Sequence, residues 1–409
     1  MNITPIGYRL HISIFGRRNV GKSTLINAIT NQKISIVSDK PGTTTDPVLK
    51  TMEILPIGPV AIIDTAGLDD SDSLGTLRKE KTYDIMKKTD FAIVVLSADE
   101  GITEFEKNLV KDLETRKIST IAVINKCDLH NVSQDMLNEY REELGIPVTK
   151  VSAITKDGIE ELKVFISQNV DAYDKCQLNI VKDLIKPQDL IVLVTHIDCS
   201  APKGRIILPQ QQMIRDIIEA NATAVVTQEK ALGDTLTKLK EKPSLIITDS
   251  LVSDIVEDII PADYKLTSFS ILIARQKGNL EVFLQGLENI KTLKDGSRLL
   301  IVETCTHHRQ PNDLGRAQIP NYIKELTQKE LEFDWASGTY FPKDISRYDG
   351  IIHCGGCMVN RQEMQSRIKD SIQYNVPITN YGILITHAQG ILERVLEPFP
   401  LISDRFKSA

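Results

Sequence analysis

The chain has no run of about 18 apolar residues, no surplus of basic residues and few cysteines, and each shortage removes a class of function. Without the apolar run no membrane-spanning helix is predicted. The stretch from Met1 to Ile14 leads into a strand rather than into a basic segment followed by an apolar one, so neither secretion nor membrane anchoring is expected, and the location expected is cytoplasmic. The net charge of −6 speaks against broad phosphate-backbone binding, so nucleic acid is not expected as the main partner. Six cysteines in 409 residues are too sparse for a disulfide scaffold. With 17 prolines there is no long low-complexity tract, and the 41% hydrophobic content is ample for packed cores.

The length predicts more than one domain. Through the first 170 or so residues, strand-like segments (Leu10–Phe15, Val60–Asp64, Phe91–Leu96, Thr120–Asn125, Val148–Ser152) alternate with helical patterns beginning near Lys22, Leu74, Glu104 and Gly158. That alternation predicts a parallel-rich sheet covered by helices. After the polar stretch Asp174–Gln177, a second α/β unit is predicted over 178–262, with strands Leu190–Thr195, Ala224–Thr227 and Ser244–Thr248. A third over 263–409 contains strands Ile271–Ala274, Leu299–Glu303 and Gly350–His353 and helices Leu280–Asn289 and Gln362–Ser371. The fold class expected is α/β: a nucleotide-binding domain over 1–173 followed by two further α/β domains.

The motifs of the first domain converge on one ligand. Gly16-Arg17-Arg18-Asn19-Val20-Gly21-Lys22-Ser23, followed by Thr24, fits the phosphate-loop pattern between a strand and a helix. Its backbone N–H groups suit phosphate anions, Lys22 is placed for the β- and γ-phosphates, and the Ser23 hydroxyl is placed for Mg²⁺. Asp64-Thr65-Ala66-Gly67 supplies a carboxylate for the Mg²⁺ waters and an N–H, that of Gly67, able to sense the γ-phosphate. Within Pro41–Asp46, Thr44 is the candidate for a second hydroxyl on Mg²⁺. Asn125-Lys126-Cys127-Asp128 selects the base. A carboxylate accepts two hydrogen bonds only from a base that presents a ring N–H beside an exocyclic amine, which is guanine. Ser152 and Ala153 complete the set, with a backbone N–H for the guanine O6. The ligand expected is therefore GTP or GDP with Mg²⁺, and Lys22, Thr44, Asp64 and Gly67 are the candidate catalytic groups.

This half resembles the GTPases of the Era and tRNA-modification type. Leu68 stands where Ras-like switches carry a glutamine, which implies slow intrinsic hydrolysis. Asn19 stands where potassium-activated members of the group ligate K⁺, which implies potassium stimulation.

Near the other end, His353-Cys354-Gly355-Gly356-Cys357 follows Cys305-Thr306-His307, so three cysteines can converge on one centre. Spacing alone leaves three readings open: zinc with a histidine as fourth ligand, a [4Fe–4S] cluster with one iron open, and a redox disulfide between Cys354 and Cys357. His353 is a candidate for direct ligation or for a buried supporting role, and His307 for the rim of the site. His11, His130, His196 and His387 show no partner pattern.

Here the whole chain resembles the FeFe-hydrogenase maturation GTPases known as HydF, whose signature is Cys-x-His, a spacer, then His-Cys-x-x-Cys. The resemblance implies a GTPase domain, a dimerisation domain and a cluster-binding domain. It implies a [4Fe–4S] cluster on Cys305, Cys354 and Cys357, a homodimer, and a scaffold or carrier for the diiron unit of the hydrogenase. Radical-SAM maturases are the implied suppliers and the hydrogenase apoprotein the implied recipient. A competing reading, an RNA-processing or ribosome-assembly GTPase with a structural zinc, accounts for the first half equally well; the acidic composition stands against it.

Overall fold

The computed structural model describes residues 4–31, 48–65, 81–174, 179–197, 208–304 and 314–407. These fall into two compact units, 1–177 and 178–409.

In the first unit β1 (Leu10–Phe15), β2 (Val48–Ile54), β3 (Gly58–Asp64), β4 (Phe91–Ser97), β5 (Ser119–Asn125) and β6 (Val148–Lys150) form one six-stranded sheet in the order β2-β3-β1-β4-β5-β6. All pairs are parallel except β2 with β3. The long apolar runs are explained by burial on both faces. Ile12, Ile14, Ile93, Val95, Ile121 and Val123 enter one core, while Phe15, Val94, Leu96, Ala122 and Ile124 enter the other. Helices α1 (Lys22–Thr30), α2 (Glu104–Thr115) and α3 (Gln134–Leu144) lie between these strands in the chain, and α4 (Ile159–Asp174) follows the last of them. The start of α2 is fixed by a capping box, in which the Thr103 hydroxyl accepts from the main chain and Glu106 reaches back to Thr103 N. The edge strand β2 and helix α3 are not among the sequence predictions. The edge strand leaves Leu49, Lys50, Thr51 and Glu53 exposed, and α3 buries only Leu137 and Leu144.

The second unit holds two four-stranded parallel sheets. One contains β7 (Leu190–Val194), β8 (Thr223–Thr227), β9 (Leu245–Thr248) and β10 (Leu266–Ser268) in the order β10-β9-β7-β8. The other contains β11 (Arg298–Glu303), β12 (Glu332–Ser337), β13 (Gly350–His353) and β14 (Ile378–Asn380) in the order β12-β11-β13-β14. One continuous apolar core runs from Ile191 and Leu193 through Leu272 and Leu287 to Ile301, Ile352 and Leu384. Helices of this unit include α5 (Leu208–Glu219), α6 (Leu232–Lys238), α7 (Ser253–Ile259), α8 (Phe269–Lys277), α9 (Leu280–Lys291), α10 (Ile319–Thr327), α11 (Arg361–Gln373) and α12 (Tyr381–Ala388).

One prediction is overturned here: Ile271–Ala274 is not a strand but the middle of α8. Its four residues are all buried, so the segment shows no helical periodicity; the deciding signal is Ser268, whose side chain caps the helix by accepting from Ile271 N.

Candidate functional site

The phosphate loop joins the C-terminal end of β1 to α1, and its shape depends on two glycines. A Cβ on Gly16 (φ 146°) would sit 2.5 Å from Val95 O, and one on Gly21 (φ 92°) would sit 2.3 Å from the Asn125 amide nitrogen. Asn19 also adopts a left-handed conformation, at φ 62°. Lys22 is buried, with Nζ donating to Gly16 O at 2.8 Å and to Arg17 O at 2.6 Å. Those carbonyls hold the ammonium at the loop. Ser23 Oγ donates to Asp64 Oδ2 at 2.9 Å, so the hydroxyl and the carboxylate of two separate motifs meet.

Asn125 works as a clip rather than as an exposed ligand. Its Nδ2 donates to Val20 O at 2.9 Å, and its Oδ1 accepts from Ala153 N at 3.0 Å, which ties the phosphate loop to the loop after β6. Ser152 Oγ donates to Asp128 Oδ1 at 2.6 Å, orienting that carboxylate. Lys126 takes φ 66° and lies 3.8 Å from Asp99. Sequence reading missed one further anchor. Arg17 donates from Nε to Glu106 at 2.7 Å, pairs with Glu100 at 2.8 Å, and donates from Nη2 to Gly101 O at 3.1 Å. The same fully buried Glu106 closes the capping box of α2, so helix start and phosphate loop share one carboxylate.

The cysteine pair lies where an open parallel sheet presents ligands, at the carboxyl ends of β11 and β13. These strands are neighbours with Val302 beside His353, and Cys354 N donates to Val302 O at 2.9 Å. Cys354 and Cys357 are free thiols on the turn that leads into α11. Cys354 Sγ accepts from Thr304 N at 3.2 Å and from Gly356 N at 3.5 Å, and lies 3.3 Å from Thr304 Oγ1. Burial pushes the Cys354 thiol up, Cys357 adds to this, and the Thr304 and Gly356 bonds pull it down. Two thiols on one turn, one of them ringed by N–H donors, are a donor set that fits thiolate-bound iron or zinc. They also carry no disulfide to each other.

His353 has both ring nitrogens engaged. Nδ1 lies 2.7 Å from Cys354 O and Nε2 lies 2.9 Å from Arg367 Nη1. Arg367 can only donate, so Nε2 accepts and Nδ1–H donates. Burial, with the Arg367 charge beside it, lowers its pKa to about 3, and the imidazole is neutral. Of the two open roles this geometry fits the buried supporting one: the ring bridges the Cys354 carbonyl to Arg367, which in turn donates to the buried Glu363 at 2.5 Å. The Arg367 charge also lies over the Phe341 ring, 5.1 Å from its centroid.

Thr44, Gly67, Leu68, Cys305 and His307 lie outside the described residues. Among the described residues no group of three or more His, Cys, Asp or Glu comes together as a metal site. No helix among them is long and apolar enough to cross a membrane.

Comparison with known proteins follows the same division. A family model described as 50S ribosome-binding GTPase matches residues 11–126. Among curated proteins, the tRNA modification GTPase MnmE of Chromobacterium violaceum is 35% identical over 155 residues, 38% of this chain and 33% of that protein. GTPase Der of Mycoplasmopsis agalactiae is 32% identical over 205 residues, 47% of this chain and 44% of that one. The chain thus spans less than half the length of these relatives. Among solved structures, a probable GTP-binding protein engB has 24% identity and a TM-score of 0.33, over 40% of this chain and 99% of its own. The G domain of the Thermotoga maritima FeoB iron transporter has 26% identity and a TM-score of 0.30, over 41% of this chain and 99% of its own. Beyond the GTPase domain, a model of the hydrogen maturase F dimerization domain matches residues 180–278, and one of the hydrogen maturase F tetramerization domain matches 281–398. A GTPase domain followed in order by both of these domains makes the chain a member of the hydrogen maturase F, or HydF, family.

Proposed function

We propose that this protein is a GTP-hydrolysing iron–sulfur scaffold that assembles the diiron precursor of the FeFe-hydrogenase and delivers it to the apoprotein. The reading divides the chain into a GTPase domain (1–173), a dimerisation domain (178–262) and a cluster-binding domain (263–409), working as a homo-oligomer in the cytoplasm. Radical-SAM maturases supply the diiron unit, which is cargo.

In the GTPase domain, Gly16, Val20, Gly21 and Thr24 bind phosphate through the loop and the start of α1. Lys22 leaves its two carbonyls for the β- and γ-phosphates. Ser23 and Thr44 hold Mg²⁺, Asp64 orders its waters, and the Gly67 N–H senses the γ-phosphate. Asp128 takes the guanine edge, with Lys126, Ser152 and Ala153 around the base. Asn19 holds K⁺ beside the phosphates, which gives potassium-stimulated hydrolysis. Exchanging K⁺ for Na⁺ should slow the wild type and leave Asn19→Ala unaffected; equal rates for the wild type in both salts would rule out this role.

In the cluster-binding domain, Cys305, Cys354 and Cys357 would hold a [4Fe–4S] cluster. When bound, the cluster supplies a coordinatively open iron at which cargo attaches. One observation carries this reading. The Cys354 sulfur accepts the N–H of Thr304, the residue before Cys305 in the chain, at the carboxyl ends of the neighbouring strands β11 and β13, which supports a centre shared by the three cysteines. His353 is no ligand in this reading, since both its nitrogens are committed elsewhere. The test is anaerobic transfer from precursor-loaded protein to apo-hydrogenase. Wild type should activate it and Cys354→Ser should not; equal activation by both would defeat the proposal.

A further inference from the structure

Lys277, the last residue of α8, is only 3% exposed, and its ammonium points into the protein. Nζ donates to Gly356 O at 3.1 Å and to Val359 O at 2.8 Å. Gly356 lies inside the cysteine turn, in a left-handed conformation at φ 66°, and is peptide-bonded to Cys357; Val359 lies just beyond. The contact is reciprocal. Arg361 Nε donates to Gln276 O at 2.8 Å, and Gln365 Nε2 donates to Lys277 O at 3.0 Å and to Gly278 O at 2.7 Å. The end of α8 and the start of α11 therefore clasp each other across the turn, and the clasp joins residues matched by two different family models, 180–278 and 281–398. Burying an ammonium is costly, and the cost is offset where negative charge gathers. A pair of metal-bound thiolates is such a place.

We propose that Lys277 is the positioning residue of the cysteine turn: it fixes the Cys354–Cys357 spacing through the Gly356 and Val359 carbonyls and sets its ammonium on the turn that carries the metal-binding sulfurs. The charge half rests on the reading of these cysteines as cluster ligands; the positioning half does not.

The test uses hydrogen exchange on the full-length, cluster-free protein, followed by potentiometry of the iron-loaded form. In Lys277→Met, exchange at the amides of 355–359 should rise about tenfold or more, while Lys277→Arg should stay within about threefold of wild type. Gln365→Ala, which loosens the clasp without touching the buried charge, should fall between them and serves if Lys277→Met does not fold. In iron-loaded protein the midpoint potential of Lys277→Met should move negative and that of Lys277→Arg should remain near wild type. Unchanged exchange in both Lys277→Met and Gln365→Ala overturns the positioning role. An unmoved potential in fully loaded Lys277→Met overturns the charge role. Failure of the wild type to take up iron and sulfide would refute the scaffold reading instead and leave the exchange result standing.

Discussion

The nucleotide loop and the cysteine turn both follow a parallel strand and both open a helix, yet they are held differently. The nucleotide motifs are tied largely to one another, Asn125 to Val20, Ala153 to Asn125, Ser23 to Asp64 and Ser152 to Asp128, with Arg17 of the phosphate loop reaching outside them to Glu100, Gly101 and Glu106. The cysteine turn is held by residues outside its own motif: Thr304 on the sulfur, Lys277 on the carbonyls, and Arg367 through His353. A site that must take and release a nucleotide carries its own supports. A site that must keep two thiols at fixed spacing draws its supports from the surrounding fold.

That contrast can be broken most severely at Arg367. Arg367→Met strands the buried Glu363 carboxylate and the His353 nitrogen, and should cost about 3–5 kcal/mol in denaturant melts. GTP affinity in the folded fraction should be unchanged. Next is Asp128→Ala, which removes the acceptor for the guanine edge. GTP affinity should fall about a hundredfold, roughly 3 kcal/mol by calorimetry. Iron uptake should be untouched, and joint loss of nucleotide and iron would mean the two sites are not independently built. Gly21→Ala should disturb the Asn125 clip through the Cβ clash and cost about 1–3 kcal/mol in melts, with reduced nucleotide affinity.

Acid stability sharpens the comparison further. His353 titrates near 6.5 when unfolded and near 3 when folded, so between these values the unfolded chain binds the extra proton. In cluster-free protein the His353 contribution is therefore full above about pH 6.5 and is lost on acidification, at about 1.4 kcal/mol per pH unit. His353→Gln should flatten that slope in melts between pH 6.5 and 5.

Legibility in the sequence follows the same contrast. The phosphate loop and the guanine motif could be read directly because ligand chemistry fixes both residue type and spacing, as at Lys22 and Asp128. The central strands were legible because β1, β4 and β5 are buried on both faces and read as unbroken apolar runs. The cysteines were legible as donors; their supports were not. Nothing local marks Lys277 as reaching the Gly356 carbonyl, 79 positions later. The same holds for Arg17 reaching Glu106. Ile271–Ala274 misled because full burial erases the periodicity that separates a helix from a strand. Strands β12 and β14 escaped because β12 (Glu332–Ser337) mixes polar with apolar residues and β14 is only three residues long.

The central claim is that one polypeptide joins a guanine-nucleotide hydrolase to a thiolate-bound iron–sulfur centre. Iron and acid-labile sulfide counted per chain after anaerobic reconstitution test it most directly. About four of each are expected in the wild type and a marked loss in Cys354→Ser, with GTP binding retained in both. A single tightly held zinc with no sulfide would contradict it.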